Sequence, residues 1–297
     1  MGFTCFVIAR LELRIDLKNN QQIKIPSSHK KFYQPVEIAQ ADFRADESYQ
    51  DTLSRQMTLR VHGENPSFSS GNAEPLIRSS SFDLWRRESG EFLLDAKELV
   101  PRRMCLVQPD FSQGDLYMDF DESNDSLYPP EGLEIRLFST WLASLGDIIL
   151  HASGIKVGED GYCFLGESGA GKSTLVKSLA GNPGTVVLGE DQVILRYLDG
   201  EFWIFGTPWH LNPDLCSPEG VKLKKMYFLD RSLPPGTQRI SSITGVTNLL
   251  KTAVIPYYHT EWLSGILDRL AILPENVPFY SFSFQLETDA LAQIMQA

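Results

Sequence analysis

Gly166-Glu167-Ser168-Gly169-Ala170-Gly171-Lys172-Ser173 is the stretch of sequence that decides the fold. It matches the pattern G-x-x-x-x-G-K-[ST], a glycine-rich loop whose backbone N–H groups cradle phosphates. An apolar run, Tyr162–Leu165, precedes it, and a helical pattern, Ser173–Leu179, follows it. A strand, loop and helix in this order bring N–H groups and a helix N-terminus together on one anion. The stretch therefore predicts a nucleotide-binding P-loop.

The residue types in this loop predict Mg-ATP as the ligand. In a P-loop, Lys172 reaches the β- and γ-phosphates, and Ser173 supplies an oxygen to Mg²⁺. Gly166 to Thr174 form the predicted nucleotide-binding set. An ordinary glycine turn between a strand and a helix is the alternative, but such a turn needs neither the lysine nor the serine.

An acidic pair, Glu190 and Asp191, follows the apolar triplet Val186–Leu188. A carboxylate at the end of a strand beside a P-loop can complete the magnesium shell, and a second one can accept a proton from an attacking hydroxyl. Neighbouring residues on a strand point to opposite faces, so the pair shares a site only if the strand ends or turns at Gly189. A solvated acidic strand end is the alternative.

Two histidines are further candidates. His151 lies within the apolar run Ile148–Val157, which we predict to be one strand with His151 at its centre; a lone histidine there is either functional or a hydrogen-bonded core residue. Trp209-His210 follows a predicted hairpin at Leu198–Glu201. It predicts either a loop beside the nucleotide or the substrate, or aromatic packing in a turn.

The segment from His151 through Asp191 resembles the catalytic domain of the HPr kinase/phosphorylase family, within the P-loop group similar to phosphoenolpyruvate carboxykinase. His151, the Gly166–Ser173 loop and Glu190-Asp191 carry the resemblance in the expected order. Thr207–His210 and Val277–Tyr280 look like a divergent branch of that group. The resemblance implies an α/β P-loop domain with a mixed sheet flanked by helices.

In function, the resemblance implies a kinase that transfers the γ-phosphoryl group of ATP to a serine, or another hydroxyl, of a protein or peptide. Lys172 then binds phosphate, Ser173 and Asp191 match magnesium positions, and Glu190 and His151 match positions that polarise the acceptor hydroxyl. Members of the family often assemble into oligomers, so a homo-oligomer is also an expectation.

The sequence departs from that family in two places. The family has two aspartates where this chain has Glu190-Asp191, and the extra methylene moves a carboxylate by roughly 1 Å, which can cost on the order of 10²-fold in rate. The family's C-terminal phosphate-binding arginine has no matching motif; Arg231 and Arg239 are the candidates. The first departure favours an alternative, a nucleotide-binding regulatory module with little or no turnover.

Two other classes fit the sequence less well. The loop is also similar to that of ABC-transporter ATPases, but their Leu-Ser-Gly-Gly signature and their apolar strand ending in Asp-Glu are missing. Carboxykinase chemistry on a small acid needs a cluster of basic residues and a second metal site, and the sequence shows neither.

The net charge and the cysteine pattern indicate which partners and which compartment to expect. A formal net charge of −11 repels polyanions, so we expect no nucleic acid and no anionic membrane as partners. Four cysteines, far apart and without Cys-x-x-Cys spacing, indicate neither zinc nor a disulfide framework and favour a reducing cytoplasm. We also expect no signal peptide and no membrane span, because charged residues soon follow the apolar start and no apolar run is long enough.

Composition divides the chain into a mostly β N-terminal domain of unknown role, residues 1–125, and a P-loop kinase-like domain, residues 126–297. The boundary lies in the polar, proline-containing stretch Ser123–Gly132. Within the first domain we predict one strand at Phe3–Leu13 and a loop at His62–Ser81. In the second we predict helices near Leu133–Leu145, Leu249–Val254 and Glu261–Leu270, hairpins at Gly158–Gly161 and Leu198–Glu201, and a strand at Phe279–Phe284.

Overall fold

A computed structural model describes residues 2–17, 27–35, 55–63, 73–97, 103–118, 131–210, 212–285 and 290–296. The chain divides into two compact units, residues 1–141 and 142–297. The predicted domain boundary at 125/126 lies outside the described residues. Both units are rich in strands, and the protein is a mixed α/β chain with two sheets. No helix in the described ranges is long and apolar enough to cross a membrane.

The described part of the first unit contains one sheet, a short 3₁₀ helix, Ser27–Phe32, and residues 131–141 of a helix that continues into the second unit. Its strands are β1 Gly2–Ile8, β2 Leu11–Leu17, β3 Tyr33–Pro35, β4 Arg55–His62, β5 Glu74–Arg78, β6 Phe82–Arg86, β7 Phe92–Ala96, β8 Arg103–Val107 and β9 Gln113–Met118. They lie in the order β3-β1-β2-β4-β9-β8-β7-β6-β5. The pairs β2–β4 and β4–β9 are parallel, and the other neighbours are antiparallel.

Two expectations for this unit are wrong. The apolar run Phe3–Leu13 is a hairpin rather than one strand, because Ala9 and Arg10 take positive φ values of 54° and 61°. These residues are not typical of turns, so the sequence gives no turn signal there. The predicted loop His62–Ser81 contains β5, a half-exposed strand that pairs on one side with β6.

The second unit combines a mixed sheet with helices. Its strands are β10 Ile148–Leu150, β11 Ser153–Val157, β12 Asp160–Leu165, β13 Thr185–Gly189, β14 Val193–Leu198, β15 Glu201–Gly206, β16 Gly220–Leu229, β17 Gly236–Arg239 and β18 Phe279–Ser283. Its helices are α1 Glu131–Ser144, which crosses the boundary between the units, α2 Lys172–Leu179, α3 Ser242–Thr252, α4 Thr260–Asn276 and α5 Ala290–Gln296, with a 3₁₀ turn at Pro213–Leu215.

The strands β12, β13, β16 and β18 run in the same direction and end at one edge of the sheet. β12 pairs in parallel with β16, and β16 pairs in parallel with β18. β11 is antiparallel to both β12 and β13, so β13 runs in the direction of β12. The carboxyl ends of such strands are the usual place for a ligand in an open α/β sheet.

Hydrophobic side chains cover both faces of this sheet. Along β12, Tyr162 and Phe164 belong to the cluster that contains α2 and α5. Cys163 and Leu165 belong to the cluster that contains α3 and α4. This alternation has the period of two that a strand imposes, and it explains why the strand is apolar from Tyr162 to Leu165.

The predicted elements of the second unit are confirmed for the most part. The hairpin at Leu198–Glu201 is present, with Asp199 and Gly200 at φ 52° and 84°. The hairpin between β11 and β12 is also present, but its positive φ is at Gly158 (61°) rather than in the Asp-Gly pair. The helices predicted at the three apolar repeats are α1, α3 and α4. β16, β17 and α5 were not predicted, although Val221 and Leu223 alternate with exposed lysines at the start of β16.

The predicted single strand Ile148–Val157 is wrong. It is interrupted at His151 and Ala152, and its halves pair with different partners, β10 with β14 and β11 with β12 and β13. The backbone N–H of His151 donates to Thr252 O at 2.8 Å, which takes this residue out of the strand pairing. His151 therefore lies in a break between two strands, with its side chain exposed.

Gly206, the last residue of β15, offers a test of the packing beneath the site. A Cβ atom at this position would lie 1.9 Å from Ser217 O and 2.3 Å from Leu188 O, which are both backbone atoms. We expect Gly206→Ala to lower the free energy of unfolding by about 2–3 kcal/mol, because the backbone must move. Gly265→Ala is the matched control: nothing lies within 4 Å of its Cβ position in α4. Denaturant unfolding of both variants is the measurement. Equal free energies of unfolding would contradict the close backbone packing around Gly206.

Candidate functional site

The glycine-rich loop connects β12 to α2. The strand ends at Leu165, and the helix begins at Lys172. Gly171, the residue before the helix, has φ 102°, a left-handed conformation that a residue with a Cβ rarely adopts. The local order of strand, loop and helix is therefore the one predicted from the sequence.

Lys172 lies in the first turn of α2 and folds back over the loop. Its Nζ donates to Gly166 O at 2.9 Å and to Glu167 O at 3.4 Å. Only 6% of the residue is exposed. Burial lowers the pKa of the Lys172 ammonium, and the negative charge of Asp191 opposes this effect. Both hydrogen bonds are to neutral carbonyls, so an anion in the loop would be a stronger partner for this ammonium.

A second cation approaches the loop from the neighbouring strand. Arg231 lies two residues after β16, and its Nε donates to Ala170 O at 3.1 Å. Its Nη2 is 2.6 Å from the position that a Cβ on Gly171 would take, so the guanidinium lies directly against the loop. Of the two arginines proposed from the sequence, Arg231 is at the loop, whereas Arg239 ends the exposed strand β17.

The acidic pair lies at the same edge of the sheet. β13 ends at Gly189, so Glu190 and Asp191 are beyond the strand, as their sharing of a site requires. The Oγ of Ser153, at the start of β11, donates to Glu190 O at 2.5 Å and fixes the backbone there. The strand end is thus held in place on both sides of the pair.

The side chains of Asp191 and His151 are in direct contact. The Oδ1 of Asp191 is 3.3 Å from the Nδ1 of His151, and both side chains are about half exposed, at 48% and 46%. The negative charge of Asp191 also raises the pKa of both Lys172 and His210 against the effect of burial. Asp191 therefore faces the loop lysine and two imidazoles.

Glu190 has a different neighbour. Its Oε2 is 3.7 Å from the Nζ of Lys177, which belongs to α2, and its side chain is only 9% exposed. The sequence-predicted residues are thus all at one edge of the sheet, but the two carboxylates have separate partners. Lys177 was not predicted as a site residue. The signal that could have found it is its place five residues after Lys172, in the helix that follows the loop.

His210 is packed beneath the acidic pair. Gly189 has no Cβ, and one built there would lie 2.7 Å from the Nε2 of His210, so only glycine permits this approach. The Nε2 is 3.1 Å from the Oγ1 of Thr207, and that hydroxyl donates to Gln192 O at 3.0 Å. His210 thereby lies against the backbone before the acidic pair and is linked through the Thr207 hydroxyl to the backbone after it. It lies against the end of β13.

The buried state of His210 predicts a pH dependence of stability. Burial lowers its pKa to about 4, so the folded protein binds this proton more weakly than the unfolded chain does. The contribution of His210 to the free energy of unfolding is therefore fully present above the pKa of the unfolded chain, about 6.5. It is lost as the pH falls toward 4, and the loss amounts to up to about 3 kcal/mol. In His210→Gln, the slope of unfolding free energy against pH between these values should be smaller. Denaturant unfolding at several pH values measures it; an unchanged slope contradicts the prediction.

The residues at this edge suit magnesium bound together with a nucleotide. Among the residues that the structure describes, no cluster of three or more His, Cys, Asp or Glu side chains forms a protein metal cage. Mg²⁺ does not need one, since it commonly takes one or two carboxylates, a hydroxyl and phosphate oxygens. The Ser173 hydroxyl and the carboxylates of Glu190 and Asp191 are donors of the required type.

Comparison with known proteins gave similarity to solved structures alone. No family model matches the sequence, and no curated protein matches it significantly. Among solved structures, the chain is similar to the HPr(Ser) kinase/phosphatase from Coxiella burnetii. That similarity has 16% sequence identity and a TM-score of 0.27, and it covers 50% of this chain and 86% of that one.

Proposed function

We propose that this protein is an ATP- and Mg²⁺-dependent kinase that transfers the γ-phosphoryl group to a serine, or another hydroxyl, of a small protein or peptide. The observation that carries the proposal is the strand–loop–helix unit from Asp160 to Leu179, with Lys172 buried against the loop and Arg231 beside it. Backbone N–H groups, a helix N-terminus and two cations then meet at one place. An anion with the charge of a nucleotide phosphate chain is the ligand that such a site fits.

Each part of the site has a role in this proposal. Residues 166–174 bind the phosphates, and Lys172 exchanges its carbonyl partners for phosphate oxygens. Bound Mg²⁺ would neutralise charge on the phosphates, held by Ser173 and a carboxylate of the acidic pair. His151 and the remaining carboxylate orient and polarise the acceptor hydroxyl. Catalysis would consist of positioning and charge stabilisation, as is usual for phosphoryl transfer.

Product analysis with labelled ATP is the direct test. The protein is incubated with Mg-ATP and candidate acceptor proteins and peptides, and transferred phosphate is located by mass spectrometry. We expect one serine or other hydroxyl of an acceptor to gain phosphate, and the gain to disappear with EDTA. ATP binding without phosphate transfer to any acceptor would remove the basis of the kinase proposal.

A regulatory nucleotide-binding module is the second candidate. It is favoured by the ion pair between Glu190 and Lys177, which gives this carboxylate a cationic partner within the protein. Turnover in Lys172→Ala, Glu190→Gln and the unaltered protein separates the two. Equal and negligible rates, together with intact nucleotide binding in the unaltered protein, would favour the regulatory module.

A further inference from the structure

We propose that the two carboxylates divide the work of the site: Glu190 lies on the metal side, with Ser173, and Asp191 lies on the acceptor side, with His151. This inference rests on the proposed kinase function. It reverses the roles that the family resemblance implies for the acidic pair, where Asp191 matches the magnesium position.

The position of Glu190 follows from its contact with α2. Its carboxylate is 3.7 Å from the ammonium of Lys177, and Lys177 follows Ser173 by four residues in the same helix. Side chains four residues apart lie on one face of a helix. Glu190 therefore reaches the helix face that also carries the Ser173 hydroxyl, the predicted magnesium donor.

Burial and charge support a metal at Glu190. A carboxylate that is only 9% exposed needs a positive partner, and in this structure that partner is Lys177. The Lys177 side chain is 57% exposed, so it can turn toward solvent when a divalent cation takes its place. The same site then has a cation next to Glu190 with or without magnesium.

Asp191 has the surroundings of an orienting group. It contacts the Nδ1 of His151, and its charge acts on Lys172 at the loop. A carboxylate on one ring nitrogen fixes the orientation of an imidazole and leaves the other nitrogen, Nε2, for a hydroxyl. In the transfer step, the acceptor O–H proton moves to this Nε2 while its oxygen bonds to the γ-phosphorus. The bond from that phosphorus to the β,γ-bridging oxygen breaks, and ADP leaves.

Magnesium-dependent binding of ADP tests the division without relying on activity. We expect calorimetry of the full chain to show ADP binding about tenfold or more tighter in Mg²⁺ than in EDTA. In Glu190→Gln this ratio should fall to near one while the dissociation constant in EDTA stays within about threefold of the unaltered protein. In Asp191→Asn the ratio should be retained, although phosphate transfer is lost.

A second variant keeps the test decisive if Glu190→Gln does not fold. Lys177→Met removes an exposed cation that competes for Glu190, so the Mg²⁺-to-EDTA ratio should rise by about threefold or more. Lys222→Met is the matched control, because Lys222 pairs with Glu201 on the exposed surface and should leave the ratio unchanged.

The outcomes separate the two proposals. A retained ratio in Glu190→Gln with a lost ratio in Asp191→Asn overturns the division of roles and leaves the kinase proposal intact. An unchanged ratio in a folded Glu190→Gln and in Lys177→Met overturns it as well. No ADP binding by the unaltered protein, with or without Mg²⁺, overturns the proposed function itself.

Discussion

Replacing Lys172 with alanine is expected to abolish detectable phosphate transfer and to weaken ATP binding. The ammonium lies against the loop on two carbonyls, and the proposed ligand would take their place. Loss of one donor that stabilises transition-state charge lowers turnover by roughly 10²- to 10³-fold. Calorimetry with ATP and product analysis by mass spectrometry measure the two effects.

The control for this variant is Lys224→Ala. Lys224 is an exposed lysine that pairs with Asp160 at the opposite end of β12. The substitution therefore removes the same charge from the same unit without changing the loop. Both variants should remain folded, as judged by circular dichroism. If the two variants bind ATP equally well, the loop does not bind nucleotide phosphates as proposed.

The largest effect on stability is expected for Asp147→Asn. The Asp147 carboxylate is 1% exposed and forms ion pairs with Arg196 at 2.7 Å and with Arg269 at 2.5 Å. It also accepts the backbone N–H of Tyr197 at 3.2 Å. The change leaves the Arg196 guanidinium, itself 3% exposed, without its carboxylate, and breaking such a buried pair costs about 3–5 kcal/mol. Denaturant unfolding measures the loss.

Two further variants test the cause of that loss. Asp160→Asn breaks a half-exposed ion pair with Lys224, and it should cost no more than about 1 kcal/mol. The double variant Asp147→Leu with Arg196→Met removes the buried charges together, so it should be more stable than Asp147→Asn. If Asp147→Asn costs no more than Asp160→Asn, the buried ion pairs do not stabilise this unit.

The local elements of the second unit could be predicted because their signals are local. The Asp199-Gly200 pair supplies two positive φ values, and the apolar repeats of α1, α3 and α4 have the period of a helix. The hairpin of β1 and β2 could not be predicted, because Ala9 and Arg10 take positive φ values without being turn residues. β5 could not be predicted either, because its half-exposed residues form too weak an apolar pattern for a strand.

The sequence by itself determined the glycine-rich loop, the strand before it, the helix after it, and the presence of an acidic pair and a histidine nearby. All of these depend on residues that are close in the chain. Only the tertiary structure decided that Arg231 reaches the loop, that Asp191 contacts His151, and that Glu190 turns to Lys177. These contacts join residues of different strands and helices, and strand pairing, rather than local sequence, sets which side chains meet at one edge of a sheet.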